Sequence, residues 1–203
     1  MSGPLIQTVR SSFTIIANGG LTRDQMTEEQ GAELDQLAQS RPVRDDGTFG
    51  GSFDLWIRSP EFSRRVRGLA TMLWERTTLD RGIVELAISI TAQLWRSNIE
   101  WVAHAPRAVQ YGIPQEVLDT VFTGERPDDA ADEQVVLFDV CVGLHEEREL
   151  PQALYRQAVE TFGDQGLVEI TGVVGFYTLV VMTLTSFAVE PDADVDVPYS
   201  RRT

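Results

Sequence analysis

The sequence of 203 residues contains no lysine, and all 17 of its basic residues are arginine. Schiff-base formation and lysine nucleophiles are therefore excluded. The 31 acidic residues give the chain a formal net charge of −14. A surface this acidic repels phosphate backbones and anionic lipid headgroups, so we expect neither nucleic acid nor a membrane as a partner.

Cysteine is nearly absent as well, because Cys141 is the only one in the chain. A single thiol excludes an intramolecular disulfide, a dithiol redox couple and a zinc site built from cysteines. Cys141 lies in the apolar helical series Val136, Leu137, Val140 and Leu144, which favours a core position. A peroxidase that uses Cys141 alone is an alternative, and it would need an external reductant and an exposed, acidic thiol.

The N-terminus lacks a charged region followed by a long apolar one, so no secretory signal is indicated. Together with the single cysteine, this predicts a cytoplasmic protein. The uncharged stretch 170–189 has the length of a transmembrane helix. Its hydroxyl-bearing residues, its acidic flanks and the lack of a second span favour a buried central helix instead.

The spacing of apolar residues predicts about eight helices and no strand, so the predicted fold class is all-α, in a single domain. We expect an N-terminal arm over residues 1–50, with a short helix that opens at the capping box Thr27-Glu-Glu-Gln30, followed by a loop. A helical domain is predicted over 51–190 and a flexible tail over 191–203. Further helices are predicted to begin near Pro60, Arg81, Asn98, Pro114, Asp132, Pro151 and Gln165.

An internal two-fold repeat is predicted within the helical domain. Arg81-Gly-Ile-Val-Glu-Leu-Ala87 aligns with Gln165-Gly-Leu-Val-Glu-Ile-Thr171, which makes Glu85 and Glu169 equivalent. In the same register the second copy has apolar residues where the first has polar ones downstream of Glu85. The first copy is therefore expected to carry any chemistry.

The polar residues of the first copy are Ser97, Glu100 and His104, whose spacing places them on one face of one helix. Glu85 precedes Ser97 on an antiparallel neighbouring helix, so its carboxylate can reach the same place. A histidine near two carboxylates can titrate near neutral pH, which general acid–base catalysis requires. We therefore interpret His104, Glu100 and Glu85 as candidate catalytic residues.

Structural roles compete with these interpretations. Ser97-x-x-Glu100 is also a capping box, and Glu85 could merely form an ion pair with Arg81 one turn earlier. His145 lies among charged residues and is interpreted as solvated. A glutamate and a histidine one turn apart supply only part of a metal's coordination sphere, so no metal and no cofactor are predicted.

Aromatic residues near the polar set are predicted to form the wall of a pocket for a flat organic substrate. These are Trp95 and Trp101, which flank Ser97 in the sequence, and Tyr177 on the apolar C-terminal helix. Ser97 is grouped with them as a substrate-binding residue. Ordinary core packing is the alternative for at least one of the aromatic side chains.

The run 81–87, followed by Trp95, Ser97-Asn-Ile-Glu-Trp-Val-Ala-His104, Ala108 and Gly112, resembles the core motif of carboxymuconolactone decarboxylase-like proteins, the superfamily of alkylhydroperoxidase D. In the redox branch, the motif's glutamate is followed at +12 and +15 by two cysteines and at +19 by a histidine. Those places hold Glu85, Ser97, Glu100 and His104 here.

The resemblance keeps the relay glutamate and histidine but loses both sulfurs, so it implies the subgroup without the cysteine pair. It also implies an alkylhydroperoxidase D-like helical bundle that assembles as a homo-oligomer, a dimer, trimer or hexamer. One branch of the superfamily decarboxylates a muconolactone carboxylate without a cofactor.

Our first hypothesis is a cofactor-independent acid–base enzyme that acts on a small cyclic or aromatic organic acid or lactone, by decarboxylation, isomerisation or elimination. His104 would move the proton, Glu100 or Glu85 would orient the imidazole, and Ser97 or Tyr177 would bind the substrate's carbonyl. The alternative is a non-catalytic ligand-binding or scaffold protein with the same fold.

Overall fold

The structure, a computed structural model, describes residues 21–39, 41, 43–44, 47–191 and 195–200. Over these residues it contains eight α-helices and no strand, which confirms the all-α prediction. Residues 1–20 of the predicted N-terminal arm lie outside the described residues. The helices are α1 (Glu28–Ala38), α2 (Ser52–Trp56), α3 (Pro60–Glu75), α4 (Arg81–Leu94), α5 (Asn98–Gln110), α6 (Gln115–Thr123), α7 (Asp132–Val142) and α8 (Gln152–Ser186).

Several helix ends follow from local sequence. The capping box predicted at Thr27 is present, since its hydroxyl accepts from the Gln30 backbone N–H at 3.3 Å and the Gln30 side chain accepts from the Thr27 N–H at 2.9 Å. Helix α5 ends just before Gly112, whose φ of 95° is in the left-handed region that glycine favours.

The last two predicted helices follow each other directly, and the break predicted between them is present at Gly163. Residues 152–186 form one helical element, α8, which is interrupted at Gly163 with φ 73° and ψ 168°. The helix predicted over 132–147 is instead divided into α7 and a π-helical turn, Gly143–Glu147. This second observation is a difference in helix continuity, and it leaves the number of helical segments close to the prediction.

One compact unit consists of the described residues up to Thr71 together with Met182–Glu190. Its interior includes a buried carboxylate, Glu33, which is 2% exposed. The Ser63 hydroxyl donates to Glu33 at 2.9 Å, and Arg67 lies 3.3 Å from the same carboxylate. In this unit the indole of Trp56 donates to the Thr183 hydroxyl at 3.1 Å.

The other compact unit contains Met72–Val181 and the described residues from Pro191 onward. Its centre is α4, in which every residue from Gly82 to Ala92 is buried and which packs against α5, α6 and α7. A Cβ atom on Gly82 would lie 2.7 Å from the Tyr111 carbonyl oxygen. Glycine therefore allows the N-terminus of α4 to approach the C-terminal end of α5 closely.

Helix α8 contains the uncharged stretch discussed above. It is long and apolar enough to cross a membrane, yet 56% of its most apolar window is buried inside the protein. Val173, Val174 and Tyr177 are among its buried residues. A core helix of a soluble protein has these properties, so the buried interpretation is favoured.

Candidate active site

Helix α4 supplies the acidic residue at the centre of the candidate site. Glu85 has no solvent exposure, in a helix whose neighbouring positions are all buried. Arg81, one turn earlier, forms an ion pair with one Glu85 oxygen and is 21% exposed at its side chain. The ion pair that was considered as the structural alternative for Glu85 is therefore present.

Helix α5 supplies the histidine and the second carboxylate. Glu100 and His104 lie one turn apart and are 7% and 4% exposed. The Nδ1 atom of His104 is 2.5 Å from Glu85 Oε2, and its Nε2 atom is 3.4 Å from Glu100 Oε2. The structure thus brings together all three residues that the sequence analysis named as catalytic candidates.

The ion pair with Arg81 and the contact with His104 use different oxygens of Glu85. The two interpretations of Glu85 are therefore compatible. Arg81, Glu85, His104 and Glu100 form a row in which cation and anion alternate when the imidazole is protonated. Such a row has no net charge, which is the condition under which buried charges are tolerated.

Two aromatic rings contact His104 edge-on. The Tyr177 ring centroid is 5.0 Å from that of His104, and the Trp74 centroid is 5.9 Å away. The Trp74 indole N–H donates to the Tyr177 hydroxyl at 2.7 Å. Tyr177 was predicted to lie at the site, whereas Trp74 was missed because its position on α3 gives no local sign of contact with a residue thirty positions later.

The pKa shifts follow from burial and from these contacts. Burial by itself would lower the pKa of His104, but its hydrogen bonds to Glu100 and Glu85 and their charges raise that pKa overall. Burial would raise the pKa of Glu85, but His104 and Arg81 lower it overall. Both directions favour an imidazolium between two carboxylates.

Tyr177 has a different electrostatic environment. Burial, followed by the negative charge of Glu100, raises the pKa of its phenol well above the usual value. The phenol therefore keeps its proton at neutral pH. Because its oxygen accepts from the Trp74 indole, the O–H remains a donor beside the imidazole.

Three predicted substrate-binding residues are not placed against His104 by the described contacts. Ser97 is buried and occupies the N-cap position of α5, but its side chain caps no backbone N–H, so the capping-box alternative is wrong. Trp95 is the C-cap residue of α4. Trp101 packs against Phe122 at 5.2 Å and Tyr199 at 6.3 Å between ring centroids.

Cys141 and His145 form a separate pair of neighbours. Cys141 has no exposure, and burial raises the pKa of its thiol far above the usual value, which makes it a poor thiolate nucleophile. His145 is half-buried rather than solvated. Its Nδ1 donates to the Cys141 carbonyl and its Nε2 accepts from the Thr178 hydroxyl, both at 2.9 Å.

The donor arrangement does not suit a metal ion. Glu85 and Glu100 contact opposite nitrogens of His104, so the three side chains do not converge on one point. Within the described ranges of the chain, no group of three or more histidine, cysteine or acidic residues has an arrangement that could hold a metal ion.

A cavity of about 240 Å³ lies elsewhere in the same unit, lined by residues that include Gln93, Arg96, Phe138 and Glu146. None of the His104 contacts described above belongs to its lining. The candidate site is instead a buried cluster of polar side chains, which is only partly exposed at Trp74 and Arg81.

The sequence matches no protein-family model and no functionally curated protein. Solved structures do match. An uncharacterized peroxidase-related protein from Silicibacter sp. TM1040 has a TM-score of 0.67 at 15% identity, over 88% of this chain and 92% of that one. An alkylhydroperoxidase AhpD core protein from Ralstonia eutropha JMP134, also peroxidase-related, has a TM-score of 0.67 at 16% identity, over 87% and 92%.

A third similar structure is the debrominase Bmp8, as a cysteine-to-alanine variant in complex with 2,3,4-tribromopyrrole. Its TM-score is 0.65 at 8% identity, over 86% of this chain and 90% of that one. At these identities the likeness concerns the fold. The chain has the alkylhydroperoxidase D-like fold, as the resemblance of its motif predicted.

Proposed function

We propose that the protein is a cofactor-independent acid–base enzyme that acts on a small cyclic or aromatic organic acid or lactone, by decarboxylation, isomerisation or elimination. The observation that supports this most is the bridging of His104 between two buried carboxylates, with Nδ1 2.5 Å from Glu85 and Nε2 3.4 Å from Glu100. Such an imidazole is held in one orientation and can deliver or take a proton at Nε2.

The two carboxylates have different roles in this scheme. Glu85 is held by Arg81 as well as by His104, so it orients and charges the imidazole. Glu100 makes the longer contact with Nε2, at 3.4 Å, which is the position at which a substrate would exchange a proton. His104 donates that proton to the carbanion or enolate carbon of the substrate, and Glu100 takes part in the second proton transfer.

Tyr177 is suited to bind the substrate's carbonyl oxygen. Its phenol stays protonated because burial and the charge of Glu100 raise its pKa. A neutral donor next to the imidazole stabilises negative charge that develops on the oxygen when a carboxylate or proton leaves the neighbouring carbon. Ser97, which is buried at the start of α5, remains a second proposed donor.

The fold neighbours support a small substrate. Bmp8 is described as a debrominase, and it holds a tribrominated pyrrole. A bundle of this fold can therefore bind a small aromatic ring. We further propose, from the motif's resemblance, that the chain forms a homo-oligomer and, from its single cysteine, that it acts in the cytoplasm.

The test is a panel of cyclic and aromatic carboxylic acids and lactones, followed by NMR for isomerisation or elimination and by CO₂ release for decarboxylation. We expect His104→Gln to lower turnover by roughly 10²- to 10⁴-fold with an unchanged circular dichroism spectrum. His145→Gln is the matched control and should keep turnover. Equal turnover by wild type and His104→Gln would exclude the mechanism.

The second candidate function is a non-catalytic ligand-binding or scaffold protein. It is favoured by the extreme burial of the charged row, since Glu85 is 0% and His104 4% exposed. A row of fully paired charges can have a purely structural role, in which it fixes how the helices pack. Ligand binding without turnover of any acid or lactone in the panel would support this function.

A further inference from the structure

Trp74 connects the buried candidate site to the protein surface. Its ring is half-buried and lies 5.9 Å from the His104 ring. Two guanidinium groups lie over the same indole, Arg81 at 4.3 Å and Arg107 at 5.4 Å from its centroid. The half-buried indole next to His104 is therefore in contact with two cations.

Three residues of helix α5 and its C-cap residue, Tyr111, form a row along one face, because their spacings are four, three and four. Glu100 and His104 are buried, Arg107 is exposed and Tyr111 is 51% exposed. The row thus runs from the candidate site to solvent at the C-terminal end of α5. The N-terminus of α4 lies close to this end.

The side chains from Arg81 to Arg107 carry one more positive charge than negative charges when His104 is protonated. Arg81 pairs with Glu85, and a protonated His104 lies next to Glu100. Arg107 forms no ion pair with any residue in the described part of the chain, and its contact there is with the Trp74 ring.

A structural role for Arg107 is also available. A cation in the last turn of a helix interacts favourably with the helix dipole, an effect of only about 0.3–1 kcal/mol at an exposed site. That role would be served equally by a side chain that extends into solvent. It gives no reason for Arg107 to share the Trp74 ring with Arg81 next to the candidate site.

We propose that Arg107, which contacts the Trp74 ring as Arg81 does, binds the carboxylate of a small monoanionic substrate next to the His104 site. This inference rests on the proposed function and names the group that anchors its substrate. A guanidinium binds a carboxylate through two parallel N–H donors, and one monoanion neutralises the excess charge. Arg107 and His104 lie one turn apart, so the anchored acid extends toward the imidazole.

The experiment measures the binding of benzoate and of its neutral isostere benzamide to the full-length protein. Calorimetry gives the affinities, and the NMR signal of the Trp74 indole N–H reports on the place of binding. The variants are Arg107→Gln and, as a matched control, Arg156→Gln, which removes the same charge from an exposed position on α8. We expect benzoate to bind about tenfold more weakly to Arg107→Gln and unchanged to Arg156→Gln.

Benzamide is expected to bind weakly, and its affinity should be the same for wild type and Arg107→Gln. Benzoate affinity that is equal in wild type and Arg107→Gln, or benzamide affinity equal to that of benzoate, would overturn the proposal. The outcome is separate from that of the proposed function, since benzoate binding to His104→Gln should persist. Arg107-dependent binding of benzoate, without turnover of any acid or lactone in the panel, would support the anion site and contradict the proposed enzymatic function.

Discussion

Glu85 and Glu169 occupy equivalent positions in the predicted repeat, and the structure surrounds them differently. Each has a partner one turn earlier on its own helix, Arg81 for Glu85 and Gln165, at 2.9 Å, for Glu169. The other oxygen of Glu85 faces His104. The other oxygen of Glu169 accepts from the backbone N–H and the hydroxyl of Thr78, both at 2.7 Å.

The difference separates a carboxylate that is used for packing from one that is suited to chemistry. Glu169 satisfies a backbone donor and a hydroxyl, neither of which titrates near neutral pH. Glu85 holds a histidine whose charge state can change, between it and a second carboxylate. The same helical position therefore has a structural environment in one copy of the predicted repeat and an environment suited to acid–base chemistry in the other.

The largest expected effect in this comparison comes from Glu85→Gln. The substitution leaves Arg81 and the imidazolium of His104 without their shared anion in a buried place, which should lower the free energy of unfolding by about 3 kcal/mol. Urea denaturation followed by circular dichroism measures this loss. A loss below about 1 kcal/mol would mean that the negative charge of Glu85 does not stabilise the folded protein.

The pH dependence of stability should also distinguish the two regions. The pKa of His104 is raised on folding, so its contribution is complete below its ordinary value of 6.5 and is lost as the pH rises through the folded pKa. The pKa of Glu85 is lowered, so its contribution is complete above 4.5 and is lost as the pH falls through the folded pKa. Stability from this pair is thus highest between pH 4.5 and 6.5.

Hydrogen bonds from Gln165 and Thr78 also lower the pKa of Glu169, so the stability that this carboxylate contributes is complete above pH 4.5 and is lost only on the acid side. We expect His104→Gln to remove the loss of stability at alkaline pH, whereas Glu169→Gln should keep it. Urea midpoints measured from pH 4 to 9 test this. An unchanged alkaline loss in His104→Gln would assign that loss to another group.

The smallest effect is expected for Glu169→Gln. A glutamine oxygen can still accept from the Thr78 backbone N–H, so the loss should be about 1 kcal/mol, the value of a hydrogen bond to a charged acceptor that becomes neutral. Denaturation under the same conditions as for Glu85→Gln gives the ratio of the two effects. Equal losses at the two positions would remove the distinction between them.

Much of the fold could be predicted because its determinants are local. The Thr27 capping box, the proline at the start of α3 and the stop at Gly112 are fixed by residues within a few positions of each helix end. Continuity was harder to predict. The break at Gly163 lies between two predicted helices, whereas the π-helical turn after α7 was not predicted and depends on how that segment packs against the rest of its unit.

The candidate site could be predicted where the contacts follow from helical spacing. Glu100 and His104 share a helix face, and Glu85 faces them from the adjacent helix. The aromatic neighbours could not be derived in this way. Trp74 reaches His104 from α3, while Trp101, which is closer in sequence, points toward Phe122. Local periodicity does not predict which helices pack together, so neither contact could be derived from it.

The most direct measurement is the titration of His104 by NMR in wild type, Glu85→Gln and Glu100→Gln, with His145 as the internal reference. The sequence contains only these two histidines, so both signals can be assigned from single variants. We predict that each substitution lowers the pKa of His104, because each removes a carboxylate that raises it. An unchanged His104 pKa in both variants would contradict the coupled acid–base site and favour the scaffold function.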